Sequence, residues 1–129
     1  MTNTDVQSLS HDDLHLTAAF LIALAATLGA LFIGEVLGQT PCTLCWYQRI
    51  AMFPLVPILG ISLWRGDGVA RIYGLPLSIA GLALAGWHSG LYIGWIPQAI
   101  APCTQNGPSC TDRAQTILGL PIPYLSLVA

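Results

Sequence analysis

Charge is scarce in this sequence. Only 8% of its residues are Asp, Glu, Lys or Arg, where a soluble domain carries about 25%. A chain of this length would make one soluble domain, but with so little polar surface it could not cover itself. The four basic and six acidic side chains are scattered and leave a net charge of −2. No basic patch or run exists, which argues against nucleic acid as a partner. There is also no internal repeat and no low-complexity segment. The N-terminus has neither Lys nor Arg, and the apolar run behind it exceeds the apolar core of a secretory leader, so a cleaved signal is not the reading.

What is present is apolar and comes in long blocks. The hydrophobic fraction is 54% and the mean hydropathy is +0.68. Leu16 to Gly38 contains one charge, Glu35; Trp46 to Trp64 contains one, Arg49; Ile72 to Ile100 contains none. About 20 helical residues cross a hydrocarbon core about 30 Å thick. Lipid offers the backbone no hydrogen bonds, so such blocks must be helices or closed barrel strands. These are too long and too uniformly apolar for barrel strands.

The expected fold is therefore all-α, a polytopic membrane helix bundle. Helices are predicted at 16–38, 46–64 and 72–96, with a tight loop at 39–45, a short one at 65–71 and a longer one at about 97–118. Residues 1–15 read as a polar cytoplasmic tail, with Ser10 and Asp13 as a helix cap, and residues 16–129 as the transmembrane domain. The chain turns apolar again from Leu120 to Ala129, which reads as the start of a fourth span that is cut off. The expectation is thus three full spans and the beginning of a fourth. Pro54, Pro57 and Pro76 fall inside helical blocks and predict kinks. Gly29, Gly34, Gly38, Gly81 and Gly86 would let helices approach closely.

The four cysteines, Cys42, Cys45, Cys103 and Cys110, all lie in loops or at helix mouths. The first pair follows span one and the second follows span three. Two crossings separate them, so both pairs emerge on one side of the membrane. Arg65 and Arg71 occupy the opposite loop, while the cysteine loops carry only Arg113. Positive charge favours the cytoplasm, which turns the cysteines outward, where disulfides persist.

Cys42-Thr43-Leu44-Cys45 has the spacing of a reversible disulfide, and a helix begins directly after it. The positive end of a helix dipole lowers the pKa of a thiol placed there. Arg49, four residues after Cys45, shares roughly the same helix face and would also favour thiolate. Two other readings stand beside this one. All four cysteines could hold zinc, although the Cys103 to Cys110 gap is wide for a zinc site. Two structural disulfides are the other, although a loop as short as Cys42–Cys45 gains little chain entropy. Four cysteines allow three connectivities.

Arg49 is costly in a membrane and needs either a snorkelling path to the interface or a carbonyl or anionic ring to bind. Glu35 lies near the same mouth and could pair with it or be solvated. His88, beside Trp87, reads as a buried hydrogen-bonded histidine or as a proton carrier for the redox pair. Trp46, Tyr47, Tyr92 and Trp95 read first as an interfacial aromatic belt.

Glu35-Val36-Leu37 followed by Pro41-Cys42-Thr43-Leu44-Cys45-Trp46-Tyr47-Gln48-Arg49 resembles the signature of the disulfide bond formation protein B family, of the DsbB and BdbC kind. The resemblance runs over about residues 16–129, including an Ile-Pro-Tyr-Leu-Ser-Leu run near the end. It implies a thiol:quinone oxidoreductase with four spans in a bacterial cytoplasmic (inner) membrane, multi-pass, its cysteine loops facing the extracytoplasmic side. The implied partner is a DsbA-like thioredoxin-fold dithiol protein, oxidised by a Cys103–Cys110 disulfide. Cys42–Cys45 would reoxidise that pair and pass electrons to ubiquinone or menaquinone, the route that keeps the bacterial periplasm oxidising. Arg49 is the implied quinone contact, with Gln48, Trp46, His88 and Glu35 as further candidates; no metal is implied. The competing functions are a quinone or epoxide reductase similar to vitamin K reductase, and a non-catalytic scaffold with structural disulfides or zinc.

Overall fold

The computed structural model describes residues 3–97, 99, 109–110, 116–117 and 119–128. Cys103 and Arg113 lie outside the described residues. From Asn3 to Leu28 the sequence offers neither Gly nor Pro, and adding a residue to an existing helix is far easier than starting one. Helix α1 accordingly runs Asn3–Leu31, so the polar tail is itself helical and Ser10 lies inside the helix rather than at its cap. A π-helical turn, Phe32–Val36, extends α1, and Gly38 closes the run at φ +65.

The second apolar block is divided. Helix α2 spans Thr43–Met52 and α3 spans Leu55–Arg65. Pro54 sits at the division, because it has no N–H to give to the preceding turn. Pro57 and Pro76 cause no break, since each falls in the first turn of its helix, where that N–H would have no partner. Gly66, at φ +65, ends α3 in the left-handed region. The turn behind it is tied by Ser62, whose hydroxyl donates to the Asp67 carbonyl at 2.7 Å and accepts from the Ala70 N–H at 3.3 Å. A second π-helical turn, Ala70–Gly74, leads into α4, Leu75–Ile93. A short antiparallel pair follows: β1 Thr116–Ile117 falls in the expected loop, and β2 Leu120–Pro121 falls where the sequence reads as the start of a fourth span. Helix α5, Ile122–Val128, completes the described chain.

Helix α1 packs on α3, α2 on α4, and α4 on α5. Small residues set the distances: a Cβ at Gly60 would stand 3.2 Å from Phe20, and one at Gly81 would stand 3.5 Å from Ala51. Two helical runs, His11–Val36 and Thr43–Arg65, are long and apolar enough to cross a membrane. Helix α4, with Pro76, His88 and Ser89 among its apolar residues, is not among them, so the described structure establishes two candidate spans rather than three. Leu21 and Leu28 of the first candidate span are exposed, as lipid-facing side chains are. Trp46, Tyr47 and Trp95 are exposed at the cysteine end, and Trp64 and Tyr73 at the other. Tyr92 leaves that belt: it packs edge-on against Tyr124 of α5, with ring centroids 5.7 Å apart. The most buried cluster is at the cysteine end and joins Cys42, Leu44, Cys45, Leu91 and Cys110, with Ile96 against it.

Candidate redox site

Cys42 is the N-cap of α2. Its backbone is extended, and its sulfur accepts the Cys45 N–H at 3.3 Å, satisfying one of the donors that every helix start leaves open. Cys45 lies in the first turn, so both sulfurs face the same way. Both are free thiols, with Cys42 1% and Cys45 9% exposed. Cys110 is disulfide-bonded and 4% exposed. A reduced pair and an oxidised cysteine thus share one buried cluster.

His88, 1% exposed, connects them. Its Nε2 lies 3.9 Å from Cys42 Sγ and 3.1 Å from the backbone carbonyl of Cys110. A carbonyl can only accept, so Nε2 carries a proton. In the neutral ring Nδ1 is then the acceptor, and the Gln48 amide donates to it at 3.3 Å. The tautomer follows from the Cys110 carbonyl alone. Cys42 is held well below the ordinary thiol range, at about 4. The largest cause is the hydrogen bond from the Cys45 thiol; burial opposes it, and His88 and the Cys45 N–H add to the lowering.

Arg49 reaches α1 rather than Glu35. Its Nη2 donates to the Ala30 carbonyl at 2.9 Å, and its guanidinium lies 5.6 Å from the centroid of the Trp46 ring. Gly34 leaves room for it, since a Cβ there would stand 3.2 Å from both terminal nitrogens. Glu35 is exposed in the π-helical turn, and the ion pair among the described residues joins Arg65 to Asp67 instead. A cavity of about 700 Å³ opens between α1, α2, α3, α4 and α5, lined by Cys45, Gln48 and Arg49 at the cysteine end and by residues such as Ala23, Leu59 and Leu125 beyond. Of the candidate quinone contacts, Gln48 and Arg49 line this cavity; Trp46 lies over Arg49, His88 faces the thiols, and Glu35 is outside the wall.

Residues 13–129 match the family model described as disulfide bond formation protein DsbB. This chain belongs to the DsbB family. It is 53% identical over 115 residues to a probable disulfide formation protein of Metapseudomonas resinovorans, covering 88% of this chain and 80% of that one. It is 40% identical over 126 residues to a probable disulfide formation protein of Deinococcus radiodurans, covering 91% and 82%. It is 40% identical over 118 residues to disulfide bond formation protein C of Bacillus subtilis, covering 88% and 83%. No solved structure matches. Membership gives this DsbB-family chain an oxidoreductase role in disulfide bond formation and, with its two apolar helical runs, a place among bacterial membrane proteins.

The motif pointed to the cysteines and to Arg49. It gave no sign of the Ala30 carbonyl, of Gly34 as the space for the guanidinium, or of Gly90. A Cβ at Gly90 would stand 2.8 Å from Ile96 Cδ1, so glycine there lets Ile96 fold back over the cysteine cluster. A glycine shortly before a helix-ending Gly94 was the available signal.

Proposed function

We propose that this DsbB-family chain is a thiol:quinone oxidoreductase that reoxidises an extracytoplasmic DsbA-like dithiol protein. The observation that carries the reading is the buried contact of His88 with both stations, the Cys42 thiol and the Cys110 backbone. A thiolate of the partner attacks the Cys103–Cys110 disulfide, and the partner's second thiol resolves the mixed disulfide. The partner leaves oxidised and Cys103 and Cys110 hold two thiols. These attack a Cys42–Cys45 disulfide in the same way, regenerating the outer disulfide and leaving the inner pair reduced. A thiol that leaves as a stable thiolate leaves faster, and Cys42 is such a thiol. His88 Nε2–H is placed to hold a proton beside that sulfur.

The cavity fits a quinone: a polar end beside Cys45 at Gln48 and Arg49, and an apolar length for an isoprenoid stem. Arg49 spends one N–H on Ala30 and has others to offer a ring oxygen. When bound, ubiquinone or menaquinone supplies an acceptor for two electrons and two protons. In this reading α4 is a third span, α5 opens a fourth, and the cysteine end faces outward. The test mixes purified protein, quinone and a reduced DsbA-like partner and follows quinone absorbance. One disulfide formed in the partner per quinone reduced is expected. No quinone reduction would overturn the assignment.

A further inference from the structure

The thiol pair and His88 are arranged as more than an exchange site. Cys42 Sγ, Cys45 Sγ and a His88 ring nitrogen all lie within 4.8 Å of one another, and all three residues are buried. Tetrahedral zinc bound at about 2.3 Å by sulfur and about 2.0 Å by nitrogen separates its sulfurs by about 3.8 Å and a sulfur from a nitrogen by about 3.5 Å. Cys42 Sγ and His88 Nε2 already stand at 3.9 Å. Closing onto an ion brings Cys42 and His88 together by about 0.4 Å and the other pairs, which lie within 4.8 Å, by about 1 Å at most, within the reach of side-chain torsions.

The surroundings are those of a ligand set. Two cysteines spaced by two residues are a typical half of a zinc site. The Cys45 N–H already donates to Cys42 Sγ, which supports a thiolate there. His88 has a partner on its other nitrogen, the Gln48 amide at 3.3 Å. For Nε2 to bind a cation it must give up its proton and its 3.1 Å hydrogen bond to the Cys110 carbonyl, and the ring must take the Nδ1–H tautomer. Gln48 then turns its amide so that the oxygen accepts that proton, the outer hydrogen bond that ligating histidines ordinarily make. Two sulfurs and an imidazole favour a thiophilic ion over Mg²⁺ or Ca²⁺.

We propose that the reduced Cys42–Cys45 pair and His88 form a three-ligand site for a thiophilic divalent cation of the Zn²⁺ class. Two sulfur–metal bonds and one nitrogen–metal bond form, any thiol protons leave to solvent, and no electron moves. Oxidation of the pair to a disulfide removes both sulfur ligands, so the site exists in one redox state only. A bound ion holds the pair reduced and stops turnover; that consequence rests on the relay reading, whereas binding itself does not.

The test uses Zn²⁺ and Co²⁺ alone, with neither quinone nor partner. Chelator-treated Cys103→Ser/Cys110→Ser protein, reduced, is titrated against a competing indicator. One ion per chain is expected, with thiolate-to-metal charge-transfer bands for Co²⁺. The oxidised protein binds none. His88→Ala and Cys45→Ser each weaken binding by about 100-fold or more, and Gln48→Ala by about 10- to 100-fold. In reduced wild-type protein Zn²⁺ protects Cys42 and Cys45 from alkylation as mapped by mass spectrometry, which keeps the test open if the double variant fails to fold. Equal affinity in reduced and oxidised protein, or unchanged affinity in His88→Ala, overturns the site. Quinone reduction that fails while redox-dependent Zn²⁺ binding holds overturns the oxidase reading and leaves the site standing.

Discussion

His88 turns its Nε2 toward Cys42 Sγ at 3.9 Å, although 46 residues separate them along the chain. The packing of α2 on α4 creates that contact, and the low pKa of the thiol depends on it in part.

Removing the imidazole has two effects. His88→Ala raises the Cys42 pKa from about 4 toward the ordinary thiol value, read by thiolate ultraviolet absorbance of chelator-treated reduced protein. It also leaves the Gln48 amide and the Cys110 carbonyl without their buried partner, which costs on the order of 1–3 kcal/mol, read by thermal unfolding. His88→Gln, which restores a donor, recovers part of the stability.

The same thiol gives the reduced wild-type protein a pH dependence. Its folded pKa of about 4 lies below the unfolded value of about 8.5. Between those values the unfolded chain binds the extra proton, so stability rises with pH across that window. The contribution is complete above the unfolded value and is lost as pH falls through the folded one. Reduced protein therefore loses more stability than oxidised protein between pH about 8.5 and about 4, in denaturant melts of the two forms.

Much of this site is written in the local sequence. Cys42 and Cys45 are legible because a Cys-x-x-Cys run at a helix start fixes both sulfurs through one turn of backbone. Both cysteine pairs are expected on one side from the sequence, and the buried cluster holds Cys110 beside Cys42 and Cys45. The Gln48 to His88 contact is not legible, because it joins α2 to α4 and no local pattern registers two helices against each other. Arg49 illustrates the same limit: charge suggested Glu35, while the carbonyl of Ala30 was nearer and needed only the space at Gly34. The helical N-terminus was hidden because polar residues lacking Gly or Pro extend a helix as readily as they end one.

Arg49→Ala removes the donor at the polar end of the cavity and the cation over Trp46. The apparent quinone KM is expected to rise at least about 10-fold, the loss of one charged hydrogen bond, with a smaller change in kcat. Arg49→Lys keeps the charge but not the planar fork and recovers only part of it. Unchanged KM removes the residue from the quinone site.

Gly90→Ala places a methyl group where Ile96 Cδ1 stands 2.8 Å away. Ile96 must move off the cysteine cluster, at a cost of about 1–3 kcal/mol. Faster alkylation of Cys42 and Cys45 in the reduced variant is the expected readout.

The central claim is that electrons from the partner come to rest on Cys42 and Cys45. Fully oxidised protein, stripped of quinone, is mixed anaerobically with one equivalent of reduced DsbA-like partner, quenched with an alkylating agent and mapped by mass spectrometry. The account predicts labels on Cys42 and Cys45, an intact disulfide at Cys110 and an oxidised partner. Labels on Cys103 and Cys110 with Cys42 and Cys45 unlabelled would contradict it.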